Sequence, residues 1–329
     1  MVTPLNHKAS FMAYTILYDE PHEAIWFKQL HPHLRDAEIV AISHAKAWAS
    51  VAKVLAYDRP DIVLLSNGKP ILVVEETVEV PSGHNVGQRF ARLAAAAEQK
   101  VPCLYFGPYT ARKHGGSTAG PRFMNLRLFG ALDAMIRTTK AAVTTINWPV
   151  DNDCEVRRDP EKDADVREYL ATVLQIHEQQ PGDDINEAIL KSAIHLRMLE
   201  ERAAFVGKIR RAEQYDLPPN SVQFMNYETF AAAFNIGPLH RSIGASEVIV
   251  YNVGMKTIRS DPYAGMAMLY HYLYVAEHSN RGLVLWFPEI DFSTWRTAAK
   301  NTARKDVRLY RHSSEAILFK DQLVKKSDL

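Results

Sequence analysis

Cysteine is scarce: the 329-residue chain carries only Cys103 and Cys154, too few for a disulfide framework or a four-thiolate zinc site. The 13 histidines show no paired ligand spacing, and His31 and His33, flanking Pro32 in a predicted turn, make a weak metal signal. No apolar run reaches the roughly 18 residues a membrane-spanning helix needs, and the opening MVTPLNHKASFMAYTIL has no small-residue cleavage site after its short apolar run. These absences lead us to expect a reducing, cytoplasmic setting and no membrane partner. Excess charge is lacking too: the net value is +1, so any basic or acidic partner surface has to be found locally. Internal repeats and low-complexity tracts are absent.

What is present is core-forming material, since 47% of residues are hydrophobic. Residues 1–57 read as helical, and DAEIVAISHAKAWASVAKVLAY has the 3 and 4 spacing of an amphipathic helix through Ile39, Val40, Trp48, Val51, Val54 and Leu55. DIVLLSNGKPILVVEET reads as two β runs joined at Asn67-Gly68, a strong hairpin signal. A helix over QRFARLAAAAEQK and a buried strand, VPCLYFGPY, follow. Gly and Ser mark residues 112–122 as a flexible basic loop. Eight acids against four bases between Asp151 and Glu168 suggest a solvated linker or charged helical face. Residues 184–215 read as helical; SEVIVYNVG, DPYAGMAMLYHYLYVAEH and GLVLWFPEI then read as strand, helix and strand, with Asp261 as N-cap and Pro262 opening the helix. The expected fold is α/β, a mixed central sheet flanked by helices, with a catalytic core at 1–150, a charged helical linker at 151–220 and a C-terminal α/β region at 221–329 for recognition or dimerisation.

The chemistry concentrates in the hairpin. Side chains alternate along a strand, so Glu75 shares a face with Val73 and Thr77 while Glu76 points the other way. A near-symmetric register from the Asn67-Gly68 turn brings Asp61 across from Glu75. Such a strand end is also what a strand emerging into solvent looks like. Two converging carboxylates, however, suit Mg²⁺, which takes one or two carboxylates plus phosphate oxygens.

Pro60-Asp61, the hairpin, Glu75 closing an apolar strand and a helix from Gln88 together resemble the PD-(D/E)xK nuclease superfamily, particularly type II restriction endonucleases. The resemblance covers about residues 35–110. It implies a restriction-endonuclease-like core in which Asp61 and Glu75 hold Mg²⁺, with Glu76 as the alternative acid if the register differs. The family places a lysine two positions after the Glu; here Thr77 stands there, a hydroxyl that cannot supply its charge, and the resemblance leaves Thr77 or a water-bridged neighbour to orient the nucleophile. Lys69, Lys100 and Lys256 are the candidate replacements. The resemblance also implies that Gln88 and Arg92, on one face of the following helix, support the site, with Arg89 less well placed.

Basic residues supply the expected partner surface. Arg296, Lys300, Arg304 and Arg308 recur every four residues, a continuous stripe if one helix runs through them; Arg112, Lys113 and Arg122 form a second patch, and Lys256, Arg259 and Tyr263 precede or open a helix. Solvated helix faces look the same. Tyr270 and Tyr274 read as packing residues. The expected function is a Mg²⁺-dependent endonuclease acting on double-stranded DNA as a homodimer. The alternatives are a catalytically silent nucleic-acid-binding protein of nuclease-like fold and a repair or structure-specific nuclease. Ser66 and Lys69 form a Ser-x-x-Lys pattern without companion elements, which sets acyl transfer aside.

Overall fold

The computed structural model describes residues 12–81, 85–114, 119–180, 184–237, 243–254, 262–277, 280–298 and 305–329. From the N-terminus come β1 (Tyr14–Tyr18), α1 (Pro21–Gln29), β2 (Glu38–Ala41), α2 (Ala49–Val54), β3 (Ile62–Ser66), β4 (Lys69–Glu76), α3 (Asn85–Glu98) and β5 (Cys103–Gly107). A short ribbon of β6 (Thr110–Lys113) and β7 (Gly120–Phe123) precedes α4 (Leu126–Thr139) and β8 (Val143–Asn147). These strands build a six-stranded mixed sheet in the order β2-β1-β3-β4-β5-β8, with β6 and β7 paired apart from it.

Asn67 and Gly68 both take left-handed backbone, φ 49° and 76°, the conformation of a tight hairpin turn. The turn sets β3 antiparallel to β4 with Ile62 opposite Val74 and Val63 opposite Val73, and a bulge lies between Leu64 and Leu65. From β4 the chain crosses through α3 to the parallel β5 and through α4 to the parallel β8. Successive residues feed opposite cores. Val63, Val73 and Tyr105 pack with α3 and α4, whereas Ile62, Val74 and Phe106 pack with α1 and α5. Each such Val or Leu, fully buried, contributes about 1.5–3 kcal/mol.

Two expected helical regions turn out otherwise. Residues 14–18, YTILY, are a strand that pairs antiparallel with β3 and parallel with β2; residues 1–11 lie outside the described residues. Residues 36–57 are not one helix but β2, a 3₁₀ stretch over Ile42–Ala47 and the short α2. Their helix-compatible spacing is overridden at β2 by pairing with β1, Thr15 opposite Glu38, a partner too distant in the chain for periodicity to see.

The charged stretch after Asp151 leads into α5 (Ala164–Gln179), α6 (Asn186–Leu190) and α7 (Ala193–Gly207), helical as expected. They are not a solvated linker: Val166, Tyr169, Leu170, Val173 and Ile194 are buried against the first sheet. The remaining chain forms β9 (Val222–Asn226), α8 (Tyr227–Ala233), β10 (Glu247–Asn252), α9 (Pro262–Tyr270), β11 (Arg281–Phe287), α10 (Phe292–Ala298), α11 (Lys305–Ser313), β12 (Ala316–Phe319) and β13 (Leu323–Lys325). Its five strands make a second mixed sheet, β13-β12-β11-β10-β9.

Helix α9 lies against α3, so one core runs from the first sheet into the second. Glycines permit the crossing: a Cβ on Gly87 would overlap the backbone of Met266, and one on Gly265 would overlap the backbone of Gly87 and Gln88. This contact fixes where α3 sits over the hairpin.

Candidate active site

Asp61 precedes β3, and with Ile62 opposite Val74 it lies across from Glu75 at the end of β4. The two acids converge, as the hairpin register predicted. What lies between them was not predicted. Arg92 Nη1 donates to Asp61 Oδ1 at 3.0 Å and to Glu75 Oε1 at 2.8 Å. Arg89 donates to the same Glu75 oxygen, and Arg92 Nε lies 3.8 Å from Asp58 Oδ2. Arg89 and Arg92 stand three apart on α3, hence on one face. Arg89 was therefore underrated; its i, i+3 relation to Arg92 was the available signal. Asp61 Oδ2 accepts from the Glu76 backbone N–H at 2.6 Å, which locks the acid to the strand end.

Both acids are buried, Glu75 at 0% and Asp61 at 5% exposure. Burial pushes the Glu75 carboxyl up to about 8, and the charge of Asp61 adds to this; Arg92 and Arg89 pull the other way. Burial likewise raises Asp61 against the opposing pull of Arg92. One atom of the pair is left over: Glu75 Oε2 is buried with no hydrogen-bond partner among the described residues.

Glu76 does not join them. It points to the opposite face, where burial raises it to about 7 and Lys162 opposes the rise. Its expected part as the alternative metal-binding acid is thereby corrected, for the period-2 alternation that exposes Glu75 to α3 turns Glu76 away. Among the described residues, no group of three or more His, Cys, Asp or Glu side chains is arranged to hold a metal ion. Thr77 is buried near the site, but its hydroxyl closes a local turn, accepting from Glu79 N and donating to Glu79 O at 3.2 Å each. Its expected role in orienting a nucleophile is not supported by that geometry. Gln88 is half-buried on α3, outside the arginine–carboxylate network.

Of the candidate replacement lysines, the two that are described, Lys69 and Lys100, do not reach the pair. Lys69 sits at the hairpin turn, Lys100 follows α3 with φ 57°, and Lys256 lies outside the described residues. A lysine not singled out in the sequence, Lys162, is held on the Glu76 side, its Nζ 2.5 Å from Asp163 Oδ1 and 4.2 Å from the Trp148 ring centre. Trp26, Phe106 and Trp148 stack into the box that receives it.

The basic loop expected at 112–122 is instead the β6–β7 ribbon, with Ala111 opposite Arg122 and Arg112 opposite Pro121. A glycine-rich tip hid the pairing from a composition argument; residues 115–118 lie outside the described residues. Arg112, Lys113 and Arg122 line a cavity of about 360 Å³ with Val78 and Glu79, which directly follow the acid-bearing strand. Arg112 is partly neutralised there, with Nε 3.5 Å from Glu155 Oε1. Of the expected basic stripe, Arg296 is exposed on α10, and residues 299–304 lie outside the described residues. Lys256, Arg259, Lys300 and Arg304 fall outside the described residues. Tyr270 and Tyr274 stack on each other at 5.8 Å, as packing residues do.

Among the described residues no helix is long and apolar enough to cross a membrane. No protein-family model matches the chain, and neither a curated protein nor a solved structure matches it.

Proposed function

We propose that the chain is a Mg²⁺-dependent endonuclease of PD-(D/E)xK type that hydrolyses phosphodiester bonds in double-stranded DNA, with Asp61 and Glu75 as its metal-binding acids. One observation carries this reading: the two strands of a single hairpin deliver two buried carboxylates to one cationic nitrogen, 3.0 and 2.8 Å away. A small divalent ion would take the place of that nitrogen between the two oxygens. The donor set fits Mg²⁺, which accepts two carboxylates and completes its shell with water and phosphate oxygens. When bound, such an ion polarises the phosphodiester and makes water a better nucleophile.

The chain's own residues supply the rest. Asp61 is fixed through the Glu76 amide, so the acids are held apart at a set distance. Arg92 and Arg89 hold the acids in place until DNA enters, then turn to its nonbridging oxygens, which a guanidinium matches in geometry. Gln88, half-buried one residue before Arg89 on α3, would support the site as the family pattern implies. Arg112, Lys113 and Arg122 beside the adjoining cavity take neighbouring phosphates. Arg296 and the basic residues at 256, 259, 300 and 304 serve the recognition half. A homodimer matches cutting of both strands of a palindromic site.

The test is incubation with plasmid and phage DNA in Mg²⁺ and in Mn²⁺, beside EDTA controls and the variants Asp61→Ala and Glu75→Ala. Discrete metal-dependent fragments that both variants lose support the reading; smears favour a repair or structure-specific nuclease. Unchanged products from the variants would mean these acids are the wrong ones.

A second reading is a nuclease-like protein that binds DNA without cutting it. Arg92 already lies where a cation would, and Thr77 replaces the family's lysine. Salt-sensitive DNA affinity with no cleavage in any divalent metal would establish that alternative.

A further inference from the structure

The buried hydroxyl of Tyr105 has no assigned use. Tyr105 pairs in register with Glu75 across the parallel strands β5 and β4, and its exposure is 1%. Its Oη has no hydrogen-bond partner among the described residues, and neither does Glu75 Oε2. A donor and an acceptor, both orphaned, therefore stand on one face at adjacent positions of the same two strands. Leaving either unsatisfied costs about 1–3 kcal/mol, so two together call for an explanation.

Gly107 completes the arrangement. A Cβ built there would come within 2.7 Å of Tyr105 Oη and 2.6 Å of Thr77 Cγ2. The tyrosine tip thus lies over Gly107 and beside Thr77, the position from which the hairpin lacks a lysine, and only glycine leaves it that space.

We infer that Tyr105 is a catalytic residue of the proposed nuclease site, its hydroxyl donating to the water that attacks phosphorus while Glu75 Oε2 accepts from that same water. The inference rests on the endonuclease reading. Water is the ligand that suits one orphan donor and one orphan acceptor at once. In the step, the water oxygen forms the new P–O bond and the ester P–O bond to the leaving group breaks. The attacking water gives up a proton to solvent, and the departing alkoxide takes one from solvent.

The test is single-turnover cleavage of plasmid DNA in Mg²⁺ by the wild-type protein and Tyr105→Phe, alongside DNA affinity and thermal melting. Phenylalanine removes only an oxygen that no described residue satisfies. The cleavage rate should fall about 10²-fold, with DNA Kd unchanged and the melting temperature no lower than wild type. Gly107→Ala, which displaces the hydroxyl without deleting it, should slow cleavage in the same direction. Wild-type cleavage by Tyr105→Phe, or a loss that only mirrors weaker DNA binding, overturns the assignment while leaving the nuclease reading intact. Absence of cleavage by the wild type defeats the nuclease reading itself, and the Tyr105 role with it.

Discussion

Helix α3 has a carboxylate near each end, Glu75 buried and Glu98 half-buried, and the two are treated in opposite ways. Glu75 meets its first turns with two arginines on one oxygen and, among the described residues, no partner on the other, and its carboxyl is pushed up to about 8. Glu98, its last residue, accepts from Tyr57 and, at 2.5 Å, from Tyr272, with His312 Nε2 at 3.3 Å. Burial raises Glu98, yet the hydrogen bonds from His312, Tyr272 and Tyr57 outweigh it and hold the group below its ordinary value. Tyr57 comes from the first sheet's side, and Tyr272 and His312 from the elements around the second. A fully satisfied acid serves as a fastener between two halves. An under-satisfied one, with a shifted proton affinity, is the kind of group found where chemistry is done.

That contrast can be broken experimentally. The largest effect should be on cleavage: Glu75→Ala should lower the rate by about 10³-fold, whereas Glu98→Ala should retain the chemistry of whatever fraction remains folded, measured by single-turnover assay at low temperature. Next, Gly87→Ala should harm both ends at once, because its Cβ would overlap the α9 backbone; overpacking here should cost about 3 kcal/mol or more in urea unfolding. Glu98→Ala should destabilise by about 2 kcal/mol in the same measurement, since it leaves two tyrosines and a histidine without their acceptor.

The pH dependence separates the two acids by sign. A carboxyl raised from 4.5 to about 8, as in Glu75 and Glu23, favours the fold when protonated. Its stabilisation is present below pH 4.5 and fades as pH climbs towards 8. Glu98, shifted down, contributes stability above its ordinary value that is lost on acidification through its lowered one. Melting temperature followed from pH 5 to about 8 should therefore decline, and Glu75→Gln should flatten the decline. A slope unchanged in Glu75→Gln would show that Glu75 does not retain its proton in the fold. The smallest effect is expected from Tyr57→Phe, about 1 kcal/mol of stability with cleavage untouched.

How much of this was legible beforehand follows the range of the interactions. The hairpin and the meeting of Asp61 with Glu75 could be read because Asn67-Gly68 sets the register within a few residues. The opposite facing of Glu76 followed from strand alternation alone. Residues 36–57 misled because their apolar spacing also fits a helix, and β1 was invisible without its two strand partners. The β6–β7 ribbon was mistaken for a loop because its composition is that of its tip.

Sequence by itself determined the α/β character, the strand that carries the acids and the helix that follows it, all properties of local period and turn chemistry. Only the tertiary structure decided that Arg89 and Arg92, rather than solvent, lie between the carboxylates, that Lys162 is boxed on the far face and that Tyr105 stands unpaired beside Glu75. Those outcomes depend on how α3 is rotated and seated over the sheet. That seating is fixed by the approach of Gly87 to Gly265, two small residues far apart in the chain whose meeting no local pattern records.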